Sequence, residues 1–183
     1  MREISLNVLD ITQNSISAGA SLIEIDVAEE SAADLLTISI ADNGKGMTEQ
    51  QIKSVTDPFY TTRTTRKVGL GVPLFKMAAE MSGGSFSIQS VVGEGTKVTA
   101  AFGLSNVDRM PLGDMTATVS LLVRCNPQLD FVYRRSKDEQ SFTLDTREVR
   151  SILGADVPLD SQEVLAWIEE FIRENTGELG SNA

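Results

Sequence analysis

The spacing of apolar side chains changes along the first half of the chain, and each change predicts a new element. Residues 3–19 place apolar side chains three and four positions apart, which is typical of a helix with one buried face. Residues 22–27 and 35–41 alternate apolar and polar side chains, as strands with one exposed face do. Because a polar turn at 29–34 joins these two strands, we expect an antiparallel hairpin.

Two further helices and a second strand pair are predicted in the region that follows. Thr48 begins a short helix, and Gln51 lies at the position that completes a capping box. A longer helix ends near Met81, and strands follow at 86–91 and 97–102. This order of elements predicts an α/β (α+β) two-layer sandwich with a mixed, mostly antiparallel sheet.

Residues 104–183 are predicted to form a small C-terminal α+β extension of a domain that spans 1–103. The predicted elements are a connector at 106–114, strands near 119–125, 131–135 and 142–144, a short helix after Asp145 or Thr146 that ends at Gly154, and a longer helix after Asp160-Ser161. Apolar side chains at helical spacing in the last helix, together with Trp167, indicate packing on the core or against a partner. Packing on the core is the simpler interpretation.

Composition and charge restrict the functions that are compatible with this fold. The chain has 183 residues, 41% of them apolar, which is enough for one substantial core. Its net charge of −10 argues against binding nucleic acid or an anionic membrane. The single cysteine, Cys125, fits a reducing compartment. No apolar run approaches the roughly 20 residues that cross a bilayer, so we expect a soluble cytoplasmic protein.

Histidine is absent from the sequence, and its absence excludes several kinds of chemistry. The chain cannot bind a metal through imidazole, activate a serine or cysteine with histidine, or accept a phosphoryl group on histidine. Carboxylates, amides, the backbone and a bound cation remain as the groups available for catalysis.

The segment Asp42-Asn-Gly-Lys-Gly-Met47 follows the second strand directly. A segment of this composition is usually a turn, because its residues tolerate the backbone angles that turns require. A carboxylate at a strand end can also accept a hydrogen bond from an exocyclic amine, and Gly44 and Gly46 allow the backbone to approach a ligand closely. Taken alone, the segment leaves both interpretations open.

Two other features are compatible with a nucleotide site. Asp10 and Asn14 are one helical turn apart, so their side chains share one face, which is the ordinary arrangement on an exposed helix. The Asn14 carbonyl oxygen is nevertheless a suitable ligand for Mg²⁺. Gly69 and Gly71 precede a helix, where free backbone N–H groups and the helix dipole favour an anion.

These segments occur in an order that resembles a known family. They are Asn14-Ser-Ile-Ser-Ala-Gly-Ala20, Asp42-Asn-Gly-Lys-Gly-Met47, Asp57-Pro-Phe-Tyr-Thr-Thr62, Gly69-Leu-Gly71 and Gly93-Glu-Gly-Thr96. The order is similar to that of the GHKL superfamily of gyrase B, heat-shock chaperone, histidine kinase and MutL ATPases, which bind ATP in the Bergerat fold. The resemblance extends from residue 1 to about residue 103.

The resemblance implies a role for each matching residue. It implies that Asn14 binds Mg²⁺, that Asp10 takes the place of a glutamate base, that Asp42 recognises the adenine amino group with Gly44 and Gly46 beside it, and that Thr96 lies near the base. It implies a phosphate site at Gly69, Leu70 and Gly71, and an ATP lid at 60–67 in which Thr61, Thr62, Arg63 and Lys67 contact the nucleotide. Spacing does not decide which of the three lid cations, Arg63, Arg66 and Lys67, reaches the γ-phosphate, and we expect Arg63 or Lys67.

Two departures from the family pattern leave the activity open. Asp10 is one methylene shorter than the glutamate of hydrolysing relatives, and Ser17 stands where kinase relatives often have lysine. The resemblance implies transfer of the γ-phosphoryl group of ATP to a histidine or serine of a protein partner. The alternatives are an ATP-gated binding module and a slow ATPase of the MutL type, and a homo-oligomer is compatible with all three.

Overall fold

A computed structural model describes residues 3–57 and 70–179, which form one sheet with helices packed on it. The helices are α1 (Ile4–Ser17), α2 (Glu49–Thr56), α3 (Gly71–Met81), α4 (Met115–Cys125), α5 (Thr146–Leu153) and α6 (Gln162–Glu178). The strands are β1 (Leu22–Glu30), β2 (Leu35–Asp42), β3 (Ser85–Val91), β4 (Gly95–Gly103), β5 (Asp130–Lys137) and β6 (Gln140–Asp145).

The six strands lie in the order β3-β4-β2-β1-β5-β6. Four of the five neighbouring pairs are antiparallel, and only β1 and β5 run parallel. The predicted hairpin is confirmed, since β1 pairs with β2 from Ile23 opposite Asp42 to Glu30 opposite Leu35. The fold class is therefore confirmed as an α/β arrangement with a mixed, mostly antiparallel sheet.

Strand alternation produces a core on one face of the sheet, between the strands and the helices. The side chains on this face are almost completely buried, and they include Ile25 of β1, Ile38 of β2, Phe102 of β4 and Tyr133 of β5. The opposite face of β1 and β2 carries Glu24, Asp26, Thr37 and Ser39 instead. Burying one face and leaving the other more polar explains the period of two in the sequence.

The strand predicted near 119–125 is wrong, because this segment belongs to helix α4. The helix begins at Met115, one turn before the start of the predicted strand. The carboxylate of its N-cap, Asp114, accepts a hydrogen bond from the Ala117 amide at 2.9 Å. Met115, Val119 and Leu122 are buried at helical spacing. Residues 119–125 resemble a strand only when Asp114 and Met115, where the helix begins, are not considered.

The remaining predicted elements of the C-terminal region are present, and they extend the same sheet. Strands β5 and β6 were expected, as were helices α5 and α6, whose caps are Asp145 and Ser161. β5 pairs with β1 on the side away from β2, and residues of α4, α5 and α6 belong to the same apolar core as those of α1. The boundary at residue 103 stays a prediction. Within residues 3–57 and 70–179, no helix is long and apolar enough to cross a membrane.

Candidate functional site

Helix α1 presents Asp10 and Asn14 to solvent from one face. Ile4, Val8 and Ile11 cover its opposite face and are at most 2% exposed, which fixes the rotation of the helix on the sheet. Asp10 and Asn14 are both exposed, one turn apart. The predicted pair is therefore accessible to a ligand from outside the core.

A hydrogen bond connects α1 to the carboxylate at the end of β2. The hydroxyl of Ser15, which is 4% exposed, donates to Oδ2 of Asp42 at 2.6 Å. The backbone N–H of Gly44 donates to Oδ1 of the same carboxylate at 2.9 Å. Each carboxylate oxygen can accept a second hydrogen bond, so Asp42 is fixed in orientation and still able to accept one from a ligand amine.

Thr96 lies beside Asp42 on the adjacent strand. The two residues are direct partners in the pairing of β2 with β4. The Thr96 hydroxyl is 2.8 Å from the Ser90 hydroxyl, which also donates to the Gly95 carbonyl at 2.9 Å. Ser90 accepts a hydrogen bond from the Met47 amide at 2.8 Å as well. This network ties the loop after β2 to the β3–β4 hairpin.

Gly44 and Gly46 are required by contacts within the protein. Gly46 has a φ of +67°, and a Cβ there would overlap the Val91 carbonyl oxygen. A Cβ at Gly44 would lie 3.0 Å from both Cβ and the carbonyl oxygen of Ala18. The close approach that these glycines allow is therefore to the β3–β4 hairpin and the end of α1. Their predicted contact with a nucleotide stays a prediction.

The beginning of helix α3 lies against Asp10. A Cβ atom at Gly71 would lie 3.0 Å from the Cβ of Asp10 and 3.6 Å from its Oδ2. The N-cap, Leu70, has an apolar side chain, so it cannot satisfy the first N–H groups of the helix. The structure thus brings the predicted base and part of the predicted phosphate site into contact.

The rest of the predicted phosphate site and lid lies outside the described residues. This applies to Thr61, Thr62, Arg63, Lys67 and Gly69. Leu70 and Gly71 are described, and Leu70 is 57% exposed at the start of α3.

Sequence reasoning missed Ser15 and Ser90 as members of this cluster. A signal for Ser15 was available, because it lies one turn after Ile11 and so is a polar residue on the buried face of α1. A polar side chain there needs a hydrogen-bond partner in the fold. Ser90 gives no comparable signal, since serine in a strand is ordinary.

Asn14 and Asp10 offer oxygen atoms, the kind of ligand that Mg²⁺ prefers. Within the described part of the chain, no three histidine, cysteine, aspartate or glutamate side chains cluster closely enough to hold a metal. Mg²⁺ commonly takes one or two protein oxygens and completes its shell with water and substrate phosphates. The exposed Asn14 amide, one turn from Asp10, fits that pattern.

The fold and the site together define a class of protein. A mixed sheet is covered on one face by helices, and the polar groups of α1, the end of β2 and the start of α3 meet at one end. The family of histidine kinase-, DNA gyrase B- and HSP90-like ATPases matches residues 1–106. The match covers more than half of the chain, and the protein belongs to this family.

Sensor histidine kinases are among the proteins with similar sequences. Sensor histidine kinase ZraS of Salmonella typhimurium is 31% identical over 93 residues, which cover 50% of this chain and 20% of that protein. Hybrid signal transduction histidine kinase A of Dictyostelium discoideum is 27% identical over 178 residues, which cover 90% of this chain and 8% of that protein. The chain thus spans a fifth or less of the length of these two relatives.

A solved structure with the same fold is the N-terminal domain of a DNA repair protein. Its crystal structure matches with a TM-score of 0.55 and 16% sequence identity, over 85% of this chain and 58% of that one. At this identity the similarity shows the fold alone. It extends beyond the family match, since it covers more of the chain than residues 1–106.

Proposed function

We propose that this protein binds ATP with Mg²⁺ and transfers the γ-phosphoryl group to a partner protein. The observation that carries the proposal is the Asp42 carboxylate, which is oriented by Ser15 and Gly44 and keeps acceptor capacity for a ligand. Family membership and the similarity to histidine kinases support it. Because the chain has no histidine, a histidine acceptor has to come from the partner.

The adenine end of the nucleotide is assigned to Asp42. A carboxylate accepts hydrogen bonds and donates none when ionised, so it selects the amino group of adenine over the carbonyl of guanine at the same position. Ser15 and Gly44 hold the two oxygens in place before the nucleotide binds, which reduces the entropy lost on binding. Thr96, the strand partner of Asp42, is the second group assigned to this end.

The phosphate end is assigned to the start of α3 and to Asn14. The first N–H groups of the helix and its dipole stabilise negative charge at Gly71. Mg²⁺ held by Asn14 and the phosphates would offset the charge that develops during transfer. Asp10, which lies against Gly71, is the group assigned to accept the proton of the attacking nucleophile.

Thermal unfolding with and without ATP and Mg²⁺ tests the binding step. Ligand at about 100 times its dissociation constant stabilises a protein by about 2.7 kcal/mol, so a clear rise in Tm is expected. Asp42→Asn keeps the shape of the side chain but loses its charged acceptor, and a hydrogen bond to a charged group contributes about 1.5–3 kcal/mol. The variant should therefore bind ATP at least about tenfold more weakly. The matched control is Asp156→Asn, at an exposed loop position. An equal Tm rise in the parent and Asp42→Asn removes the proposed adenine site.

A nucleotide-gated binding module is the second candidate, and one residue favours it. Asp10 is shorter than the glutamate of hydrolysing relatives and packs on Gly71, so its carboxylate reaches less far into the site. In this alternative, ATP changes the population of partner-binding conformations with little turnover.

Incubation of the purified chain with γ-labelled ATP and a cell extract distinguishes the two functions. Transfer predicts a labelled partner band that is lost with Asp10→Asn while ATP binding is retained. The binding module predicts capture of a partner that depends on ATP and carries no label. A labelled band of equal intensity from Asp10→Asn would remove Asp10 as the base.

A further inference from the structure

The C-terminal extension carries an apolar groove that lies outside the residues matched by the ATPase family. Helices α5 and α6 and the loop between them enclose a cleft of about 440 Å³. Its apolar lining consists of Val149, Ile152, Leu153, Val157, Val164 and Trp167. We call this cleft the α5–α6 groove.

Three apolar side chains of the groove are exposed to solvent, whereas those of the core are buried. Ile152 is 82% exposed, Trp167 is 46% exposed and Val157 is 38% exposed. Val149 and Val164 at the bottom of the groove are 6% exposed, so the cleft continues from the surface into the core. A contiguous exposed apolar surface of this kind usually marks an interaction site.

Trp167 is held in place by a chain of aromatic contacts. Its ring stacks on Phe171 with 5.3 Å between centroids, and Phe171 meets Phe142 of β6 edge-on at 6.0 Å. Phe142 in turn meets the buried Tyr133 at 6.0 Å. A tryptophan already fixed in position loses little entropy when a partner covers it, and such residues often dominate binding energy.

Both helices carry acidic side chains beside residues of the groove. Glu163 lines it directly and is one turn from Trp167, Glu170 follows Trp167 by three positions, and Glu148 is one turn from Ile152. All three glutamates are exposed.

The two arginines of α5 do not neutralise this rim, because each is bound to another carboxylate. Arg147 donates to Asp145 at 2.7 Å, and Arg150 donates to Asp130 at 2.9 Å and to the Pro127 carbonyl at 2.6 Å. The groove therefore combines an apolar floor with a negative edge.

We propose that the α5–α6 groove binds a basic amphipathic helix of another protein. The apolar face of such a helix would cover Ile152 and Trp167, while its lysine or arginine side chains would meet Glu148, Glu163 and Glu170. A second copy of this chain fits less well, since a twofold interface would place the same acidic rim against itself. The proposal does not depend on nucleotide binding, and its test contains no ATP.

Trp167 is the only tryptophan in the chain, so its fluorescence reports on the groove alone. The probe is a synthetic peptide of leucine and lysine with leucine at helical spacing. One comparison peptide has the same composition in scrambled order, and another has glutamate in place of lysine. We expect a saturable blue shift with the leucine–lysine helix and at least about tenfold weaker binding of the other two.

Two variants locate the binding site. Ile152→Ser removes an exposed apolar contact without opening the core, and it should weaken the leucine–lysine peptide about tenfold. Val107→Ser is the matched control, at a residue that is 96% exposed elsewhere, and it should bind as the parent does. Combined Glu163→Lys and Glu170→Lys substitutions should reverse the preference toward the glutamate peptide.

Three results would overturn the proposal. The first is equal binding of the ordered and scrambled peptides, which would indicate attraction by net charge alone. The second is unchanged affinity in Ile152→Ser. The third is a blue shift that grows with protein concentration in the absence of peptide, with a dimer in analytical ultracentrifugation, which would assign the groove to a second copy.

Discussion

Ser15 in the first helix donates a 2.6 Å hydrogen bond to the Asp42 carboxylate at the end of the second strand. This bond fixes the carboxylate relative to α1, whose exposed face carries Asn14 and Asp10. The proposed adenine and metal positions are therefore coupled through one serine side chain. Its substitution is the most direct test of how the site is organised.

Ser15→Ala should lower both the free energy of unfolding and the affinity for the nucleotide. It leaves a partly buried carboxylate oxygen without its donor, at a cost of about 1–3 kcal/mol in the free energy of unfolding. Urea unfolding and ATP titration measure the two effects. Ser17→Ala is the matched control, because the Ser17 hydroxyl bonds the Gln13 carbonyl on an exposed face of the same helix. Equal effects of the two substitutions would contradict a special role for Ser15.

Gly46→Ala should destabilise the protein strongly. Alanine at a φ of +67° is strained by about 1–3 kcal/mol, and its Cβ would also displace the backbone at Val91. Gly177→Ala serves as the control, since nothing lies within 4 Å of the added Cβ in α6 and alanine is favoured there by about 1 kcal/mol. Urea midpoints that move in opposite directions are expected. A Gly46→Ala midpoint equal to that of the parent would contradict the loop geometry.

Asp114→Ala should destabilise helix α4. The Asp114 side chain caps the helix through the Ala117 amide, and loss of such a cap costs about 0.5–2 kcal/mol. Asp114→Asn keeps an oxygen acceptor and should retain most of the stability. The measurement is urea unfolding of the three proteins. If asparagine destabilises as much as alanine, the capping bond does not stabilise the helix.

Tyr133→Phe should reduce the decrease in the free energy of unfolding that occurs at alkaline pH. Burial raises the pKa of the Tyr133 phenol above its ordinary 10.0, and the positive charge of Arg135 partly offsets this. Between the unfolded and folded pKa values, the unfolded chain releases this proton while the folded chain keeps it. Stability therefore decreases as pH rises through this interval, and is fully present below the unfolded pKa.

The phenylalanine variant should be about as stable as the parent at neutral pH. Within the described residues the Tyr133 hydroxyl is buried without a hydrogen bond of acceptable geometry, so its removal leaves no new unpaired group. Urea unfolding from about pH 8 to pH 11 should show a smaller decrease for Tyr133→Phe than for the parent. Ser39→Ala, which also removes a buried hydroxyl without a partner in the described residues but one that does not titrate in this interval, is the control. Parallel curves for the parent and Tyr133→Phe would contradict the raised pKa.

Local sequence was sufficient for most elements, because the determining contacts lie within a few residues. Thr48 and Gln51 form the predicted capping box, with the Thr48 amide donating to Gln51 at 2.8 Å. The alternation in β1 and β2 predicted both strands and their antiparallel pairing. The same reasoning was wrong for α4, because it considered residues from Val119 onward and left out the N-cap Asp114 and the first turn of the helix.

The sequence by itself determined the helix and strand periods and the order of the segments that resemble the ATPase family, since both are properties of neighbouring residues. Only the tertiary structure decided that Ser15 binds Asp42, that Asp10 lies against Gly71 and that β5 joins β1 in parallel. These contacts join residues far apart in the chain, and they depend on how the helices pack on the sheet. The exposure of Trp167 has the same origin, because helical spacing predicts an apolar face and only packing decides which part of that face the core covers.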